Sequence, residues 1–224
     1  MAASTGGRCC DREMSKEIGD RIRDAVDAAG LAPLDEAATD RLGAYVSLIL
    51  RWNSRMNLTA IRDEDRIISL HIIESIVVSE KLPSGIGSLL DFGSGAGLPG
   101  IPIAICRPEI EVTLAESQNK KAAFLMEAVR VLGLGAKVHP GRAEALKSEF
   151  GCVTLRAVDK MAAAVNSAAG LVAPDGWLAL MTTAADLEEL QAAAGSGFNW
   201  ANTLPLTGSD TRILALGQKI SSQA

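Results

Sequence analysis

The stretch LDFGSGAGLPGIPIAI, residues 90–105, constrains the fold more than any other part of the 224-residue chain. An apolar run ends in Asp91 and Phe92, glycines follow at 93, 95 and 97 and again at 100, and a helix-like apolar run closes the segment. Strand, glycine-rich turn and helix start, in that order, build a ligand site past the carboxyl end of a strand in an open sheet. Glycine permits positive φ there and lets a ligand lie against the backbone. The flanking pattern agrees. Residues 88–92, 111–116, 136–140, 151–158 and 176–182 read as strands, with helices expected over 99–107, 118–133, 159–173 and 184–194. FNWANTLPL (198–206) and TRILALG (211–217) read as two closing strands that form an antiparallel hairpin at one edge. The expectation is an α/β fold with a mostly parallel seven-stranded sheet covered on both faces.

What precedes the sheet reads as helical. Apolar faces recur at Ile18, Ile22, Val26 and Ala29, then at Leu42, Val46, Ile49 and Leu50. A third face holds Ile67, Ile68, Ile72, Ile76 and Val77, giving helices over 12–29, 34–56 and 63–81 with Asp63 as an N-cap. Residues 1–11 are expected to be a disordered tail, 12–87 an N-terminal helical extension and 88–218 the ligand-binding domain.

With 48% hydrophobic and only 4% aromatic residues, the chain can bury a sizeable, mostly aliphatic core. No apolar run approaches the roughly 20 residues of a membrane span, and the first residues lack the apolar core of a secretory signal. Cys9, Cys10, Cys106 and Cys152 include no CxxC pair, and His71 lies far from His139. Neither a metal site nor a disulfide framework is expected, and reduced thiols fit a cytoplasmic protein. A monomer without a membrane partner is expected.

Net charge is −5, yet its distribution is uneven. Residues 41–62 hold Arg41, Arg51, Arg55 and Arg62 with no acid. Residues 118–142 hold Lys120, Lys121, Arg130, Lys137 and Arg142 against Glu127 alone. Each segment carries +4 and can meet phosphates.

Two cofactors compete for the glycines. Gly95-x-Gly97-x-x-Gly100 satisfies a dinucleotide pattern, although a glycine-rich segment produces that match easily. Three features favour S-adenosylmethionine. The segment is better described as Asp91-x-Gly93-x-Gly95-x-Gly97, an acid and alternating glycines suited to an amino-acid tail and a sulfonium. Pro99 and Pro102 alter the helix start where phosphates would want free N–H groups. Finally, the helical segment precedes the glycines and too little chain follows for a separate substrate domain. Glu116, at the end of the second strand, is placed to accept hydrogen bonds from ribose hydroxyls. Gly141-Arg142-Ala143-Glu144 is placed to cover an adenine, and Arg156, ending the fourth strand, to lie over the transferable methyl.

Taken together, these residues resemble the bacterial small-subunit ribosomal RNA guanine-N7 methyltransferase family, also called glucose-inhibited division protein B. The resemblance covers about residues 40–182. Its most specific pieces are WNSRMNLTAI (52–61), His71-x-x-Glu74-Ser75 and DFGSGAGLPGIPIAI, supported by GRAE at 141–144 and Arg156-Ala157. It implies a class I Rossmann-like methyltransferase fold with an N-terminal helical extension. The implied substrate is a guanine of 16S ribosomal RNA, as naked RNA or in the small subunit, and the implied cofactor is S-adenosyl-L-methionine. It places that cofactor against Gly93, Leu98, Glu116, Ser117, Gln118, Ala143, Glu144 and Arg156. The chain departs from the family where Glu74 replaces a common Asp, Leu155 a Ser, and Thr182-Thr183 a Lys-Gly.

The chemistry is consistent with this resemblance. Guanine N7 has an in-plane lone pair and no proton to lose, so positioning suffices and no general base or metal is required. Arg156 is the candidate base-positioning group, and Arg51, Arg55 and Arg62 are candidate RNA-backbone contacts. Cys152 is expected to be a small core residue, and His71 to lock the extension to the sheet. The rival readings are a methyltransferase for a small molecule or protein, and a catalytically silent RNA-binding assembly protein on the same fold.

Overall fold

The computed structural model describes residues 6–201, 203–206 and 211–221, with side chains from residue 13 onward. Helices α1 (Gly6–Ala28), α2 (Glu36–Asn53) and α3 (Glu64–Ile67) come first, then a π-helical turn (Ile68–Ile73) and α4 (Glu74–Lys81). The alternating part follows: β1 (Ser88–Phe92), α5 (Gly100–Cys106), β2 (Glu111–Ala115), α6 (Asn119–Leu132), β3 (Lys137–His139), β4 (Phe150–Arg156) and α7 (Met161–Ala169). It closes with β5 (Val172–Thr183), α8 (Leu187–Ala194), β6 (Phe198–Trp200), β7 (Leu204–Pro205) and β8 (Arg212–Lys219).

The sheet order is β3-β2-β1-β4-β5-β8-β6, with β7 also on β8. Pairings from β3 through β5 are parallel, while β8 runs antiparallel to β5, β6 and β7. Among the described residues, eight strands therefore replace the expected seven. The segment 198–206 divides in two because its register on β8 slips by one residue: Trp200 faces Gly217, but Leu204 faces Leu214. Strand order reverses at β1, which has β2 on one side and β4 on the other. That makes the end of β1 the switch point where open α/β sheets bind ligands.

Strand alternation sorts the side chains into two layers. Leu89, Val112, Leu114, Cys152, Met181, Leu214 and Leu216 share one core with the helices of the extension, α5 and α6. Leu90, Phe92, Val153, Leu155, Leu178, Leu180 and Ala215 form the other core, under α7 and α8. Arg156 continues the Cys152–Thr154 side of β4, and Arg212 the Leu214–Leu216 side of β8. Period two thus aims both guanidiniums at the extension.

The helical segment differs from expectation in three places. Helix α1 starts at Gly6, inside the expected tail, because residues 8–14 are helix-compatible and contain neither Gly nor Pro; residues 1–5 lie outside the described residues. The expected helix over 34–56 runs Glu36–Asn53, capped by the Asp35 carboxylate on the Ala38 N–H at 2.6 Å. The expected helix over 63–81 is interrupted by the π turn, a feature that apolar spacing does not signal. Gly43 lets α1 and α2 cross closely, since a Cβ there would sit 2.1 Å from the Ser15 carbonyl oxygen. Trp52 meets Phe124 edge-on at 5.6 Å and ties α2 to α6.

The expected helix over 159–173 is Met161–Ala169, and β5 starts before the Pro-Asp-Gly turn. That turn is a bulge within β5, with Phe150 facing Val172 but Cys152 facing Trp177.

Candidate functional site

Beyond β1 the chain turns through Gly93, Gly95 and Gly97, whose φ values of 70°, 58° and 87° suit residues without a Cβ. The loop is braced from three sides. Ser94 N–H donates to the Ala115 carbonyl at 2.9 Å, and Gly95 N–H to Glu116 Oε2 at 2.9 Å. Tyr45, fully buried on α2, donates its hydroxyl to the Ala96 carbonyl at 2.5 Å. Tyr45→Phe removes that bond alone, and we expect it to cost about 1–2 kcal/mol in urea unfolding. An unchanged midpoint would show that the loop does not depend on the tie.

Two adjoining cavities open at this loop. One, of about 410 Å³, is lined by Gly93, Gly95, Leu98, Glu116 and Arg156, and by Leu58, Thr59 and His71 of the extension. The other, of about 430 Å³, is lined by Phe92, Gly141, Ala143, Glu144 and Lys160 among others. Gly93, Ser117, Gln118, Val158 and Asp159 belong to both. A larger cavity of about 630 Å³ between α1, α2 and the end of α6 touches none of these loops, so the strand ends and not the volume locate the site.

The donor set fits an elongated ligand without phosphates. The loop amides that a pyrophosphate would need are taken: Gly95 by Glu116, Gly97 and Leu98 by the Ser94 carbonyl, and Gly100 by Asp91. Glu116 is 5% exposed, and its second oxygen accepts the Gln118 N–H at 2.7 Å, which fixes the carboxylate at the seam of the two cavities. A Cβ on Gly93 would come within 3.2 Å of Val158, narrowing that seam. These residues suit S-adenosylmethionine better than a dinucleotide.

Nine of the eleven expected cofactor residues line one or both cavities, while Asp91 and Gly97 line neither. Asp91 alternates with Leu89 and points under α5. Its carboxylate accepts from Thr154 Oγ1 at 2.9 Å and from Gly100 N–H at 3.3 Å, and burial pushes its pKa up to about 6. Asp91 therefore braces the loop from beneath. Gly97 serves packing, because a Cβ there would sit 2.5 Å from Ile101 Cδ1. Glu144 lines the second cavity while paired with Arg142 at 2.8 Å, on a single 3₁₀ turn (Ala143–Ala145).

Arg156 lines the first cavity, yet much of its guanidinium is engaged. Nη2 donates to the Leu70 carbonyl at 3.0 Å and to His71 Nδ1 at 2.6 Å, and lies 3.4 Å from Glu74 Oε2. The π turn is what presents Leu70 and His71 in this way. Because arginine can only donate, the 2.6 Å contact assigns His71 Nδ1 as acceptor and Nε2 as the protonated nitrogen, toward Thr59 Oγ1 at 3.0 Å; the Leu70 carbonyl, also 3.1 Å from Nδ1, is then served by Arg156 Nη2. Burial first, and Arg156 second, lower the His71 pKa from 6.5 to about 4, so the ring is neutral.

Glu74 is fully buried and also pairs with Arg212 of β8. Burial raises the Glu74 pKa, and the two guanidiniums pull it back. Glu74 Oε1 and Arg156 Nη1 are buried without a partner. Burial also raises the Cys152 thiol well above its ordinary range, which leaves no thiolate nucleophile on β4.

Arg51, Arg55 and Arg62 are exposed on the extension and do not line the cavities. Arg51 pairs with Glu127 of α6 at 3.2 Å, and Arg62 donates to Asn57 Oδ1 at 3.0 Å. Asn53 is structural: its side chain accepts from Leu58 and Thr59 N–H and donates to the Ile61 carbonyl. Sequence reasoning missed Tyr45 and Arg212. Alternation along TRILALG signals the side on which Arg212 lies, but nothing local names its partner. Among the described residues, no group of three or more His, Cys, Asp or Glu could hold a metal, and no helix is long and apolar enough to cross a membrane.

Residues 38–198 match the family model for rRNA small subunit methyltransferase G. The chain is 42% identical over 167 residues to a ribosomal RNA small subunit methyltransferase G of Neisseria meningitidis, covering 74% of this chain and 80% of that one. It is 42% identical over 177 residues to the protein of that name from Stenotrophomonas maltophilia, covering 78% and 82%. Among solved structures it is similar to a ribosomal protein L11 methylase from Lactobacillus delbrueckii, at TM-score 0.55 and 11% identity, covering 70% of this chain and 80% of that one. A methyltransferase from Pyrococcus furiosus gives TM-score 0.54 at 12% identity, covering 67% and 83%. These two likenesses establish the Rossmann-like methyltransferase fold.

Proposed function

The chain belongs to the rRNA small subunit methyltransferase G family, and from that premise we propose that it transfers a methyl group from S-adenosylmethionine to N7 of a guanine in 16S ribosomal RNA. When bound, the cofactor supplies an electrophilic methyl on a sulfonium sulfur. Gly93, Gly95 and Leu98 hold its amino-acid end, Glu116 its ribose, and Ser117, Gln118, Ala143 and Glu144 its adenine. Asp91 and Gly97 keep the loop in shape.

The observation that carries this reading is the joint lining of one cavity by the glycine loop, Arg156 and the extension's Leu58, Thr59 and His71. Guanine N7 attacks with an in-plane lone pair, so the protein orients the base, excludes water and removes no proton. Arg156 orients the base from the wall of that cavity. Neutral His71 spends its acceptor on Arg156, so it positions that arginine and does not act as a base. Arg55 and Arg62 contact RNA phosphates from the extension, residues 12–87, with Arg51 held beside them by Glu127, while residues 88–218 hold the cofactor. The enzyme acts as a cytoplasmic monomer on naked RNA or on the small subunit.

Labelled S-adenosylmethionine incubated with unmodified small subunits should place its label in the RNA fraction. Label in ribosomal protein, or none in RNA, would overturn the reading. Glu116→Ala should weaken donor binding by about 1–3 kcal/mol in calorimetry, since it removes the ribose acceptor and frees the loop. Unchanged affinity would take Glu116 out of the site.

A further inference from the structure

The two +4 segments of the sequence, 41–62 and 118–142, are separated in the chain but joined in the fold. Trp52 of α2 packs on Phe124 of α6, and Arg51 reaches Glu127 one turn further along α6. Helix α6 therefore lies beside the end of α2 and the loop that carries Arg55 and Arg62. The Arg51–Glu127 pair cancels the one acid of the α6 segment against one of these arginines. Outside that pair, Arg55, Arg62 and Lys120 are exposed and Lys121 is half-buried.

Lys121 also lines the cavity shared by the glycine loop, Glu116 and Arg156, together with Leu58 and Thr59 of the extension. A cation at that rim has no work to do for a positively charged sulfonium. It suits the phosphate of a nucleotide whose base has been turned into the cavity. The carboxylates in the lining are Glu116, whose two oxygens are held by Gly95 and Gln118 N–H groups, and Asp159.

Resting on the RNA-methyltransferase reading, we infer that α6 forms the second wall of an RNA track, with Lys120 and Lys121 holding backbone phosphates at the target nucleotide. The RNA strand runs between α6 and the 55–62 loop, so the two basic segments grip it from both sides of the cavity mouth. Phosphate contacts of this kind fix register and contribute salt-dependent affinity without reading sequence. Lys121 is then a positioning residue for the target base, and Lys120 extends the grip along the strand.

The test is the double variant Lys120→Gln/Lys121→Gln in the full chain, a change that keeps helix propensity and side-chain length. Binding to a 16S ribosomal RNA transcript should weaken about tenfold, and the slope of log affinity against log salt should fall by roughly one to two. Donor affinity should be unchanged. Unaltered RNA affinity and salt slope in the variant, with the wild type still methylating RNA, would overturn the track and leave the enzyme assignment standing. A loss of donor affinity would overturn it too, by giving Lys121 to the donor's carboxylate. Failure of the wild type to methylate RNA would sink both.

Discussion

Replacing Glu74 by alanine is expected to destabilise the protein by about 3–5 kcal/mol, the cost of breaking a buried ion pair by removing one partner. Glu74 is fully buried, and its Oε2 faces the guanidiniums of both Arg156 and Arg212. The Arg156 side chain is only 9% exposed and cannot turn to water when its counter-charge is lost. Arg212, at 29%, can relax partly. The penalty should therefore fall mainly on Arg156, and activity should drop in whatever fraction stays folded. Glu74→Asp keeps the charge and should recover much of the loss. Urea unfolding decides the matter, and a loss under about 1 kcal/mol would mean that the cluster is wetter than its burial implies.

The second expectation concerns acid. His71 has its pKa lowered from 6.5 to about 4 by burial and by Arg156. Between those values the unfolded chain holds a proton that the folded chain does not. Stability from neutral His71 is thus fully present above the unfolded value and is lost as pH falls through the folded one, amounting to about 3 kcal/mol. Asp91 works in the opposite sense. Its pKa is raised to about 6, so ionising it costs stability as pH rises toward that value, and the two partly cancel in the wild type. The comparison must therefore be made against His71→Gln, which carries every other group. The stability difference between wild type and variant should shrink by about 3 kcal/mol from pH 7 to pH 4. A difference that stays flat would mean that His71 is not held neutral by burial and Arg156.

These two expectations centre on residues that were unequally legible in the sequence. The glycine loop, Glu116 and Arg156 could be placed because each ends or follows a strand, and strand ends are marked by local pattern. Asp91 sits in the same run, where an acid is expected to serve the ligand. Period two puts it on the Leu89 side, under α5, so alternation was the better guide than proximity to the glycines. The bond from Tyr45 to the Ala96 carbonyl spans 51 positions and the pair of Glu74 with Arg212 spans 138. No local spacing encodes such contacts, since they depend on how the extension lies across the sheet. The π turn that aims Leu70 and His71 at Arg156 has the same apolar spacing as an ordinary helix, which is why 63–81 reads as one continuous element. The eighth strand arises from a one-residue slip in pairing, and a slip leaves the apolar pattern of 198–206 unchanged.

The central claim is the position of the transferred methyl. Small ribosomal subunits lacking the modification, treated with the protein and S-adenosylmethionine, should yield 16S ribosomal RNA that chemical cleavage specific for 7-methylguanosine cuts at one new position. The Arg156→Ala variant, given the same donor, should produce no such cut. Methyl incorporation without that cut, or a cut that persists in the variant, would contradict the account.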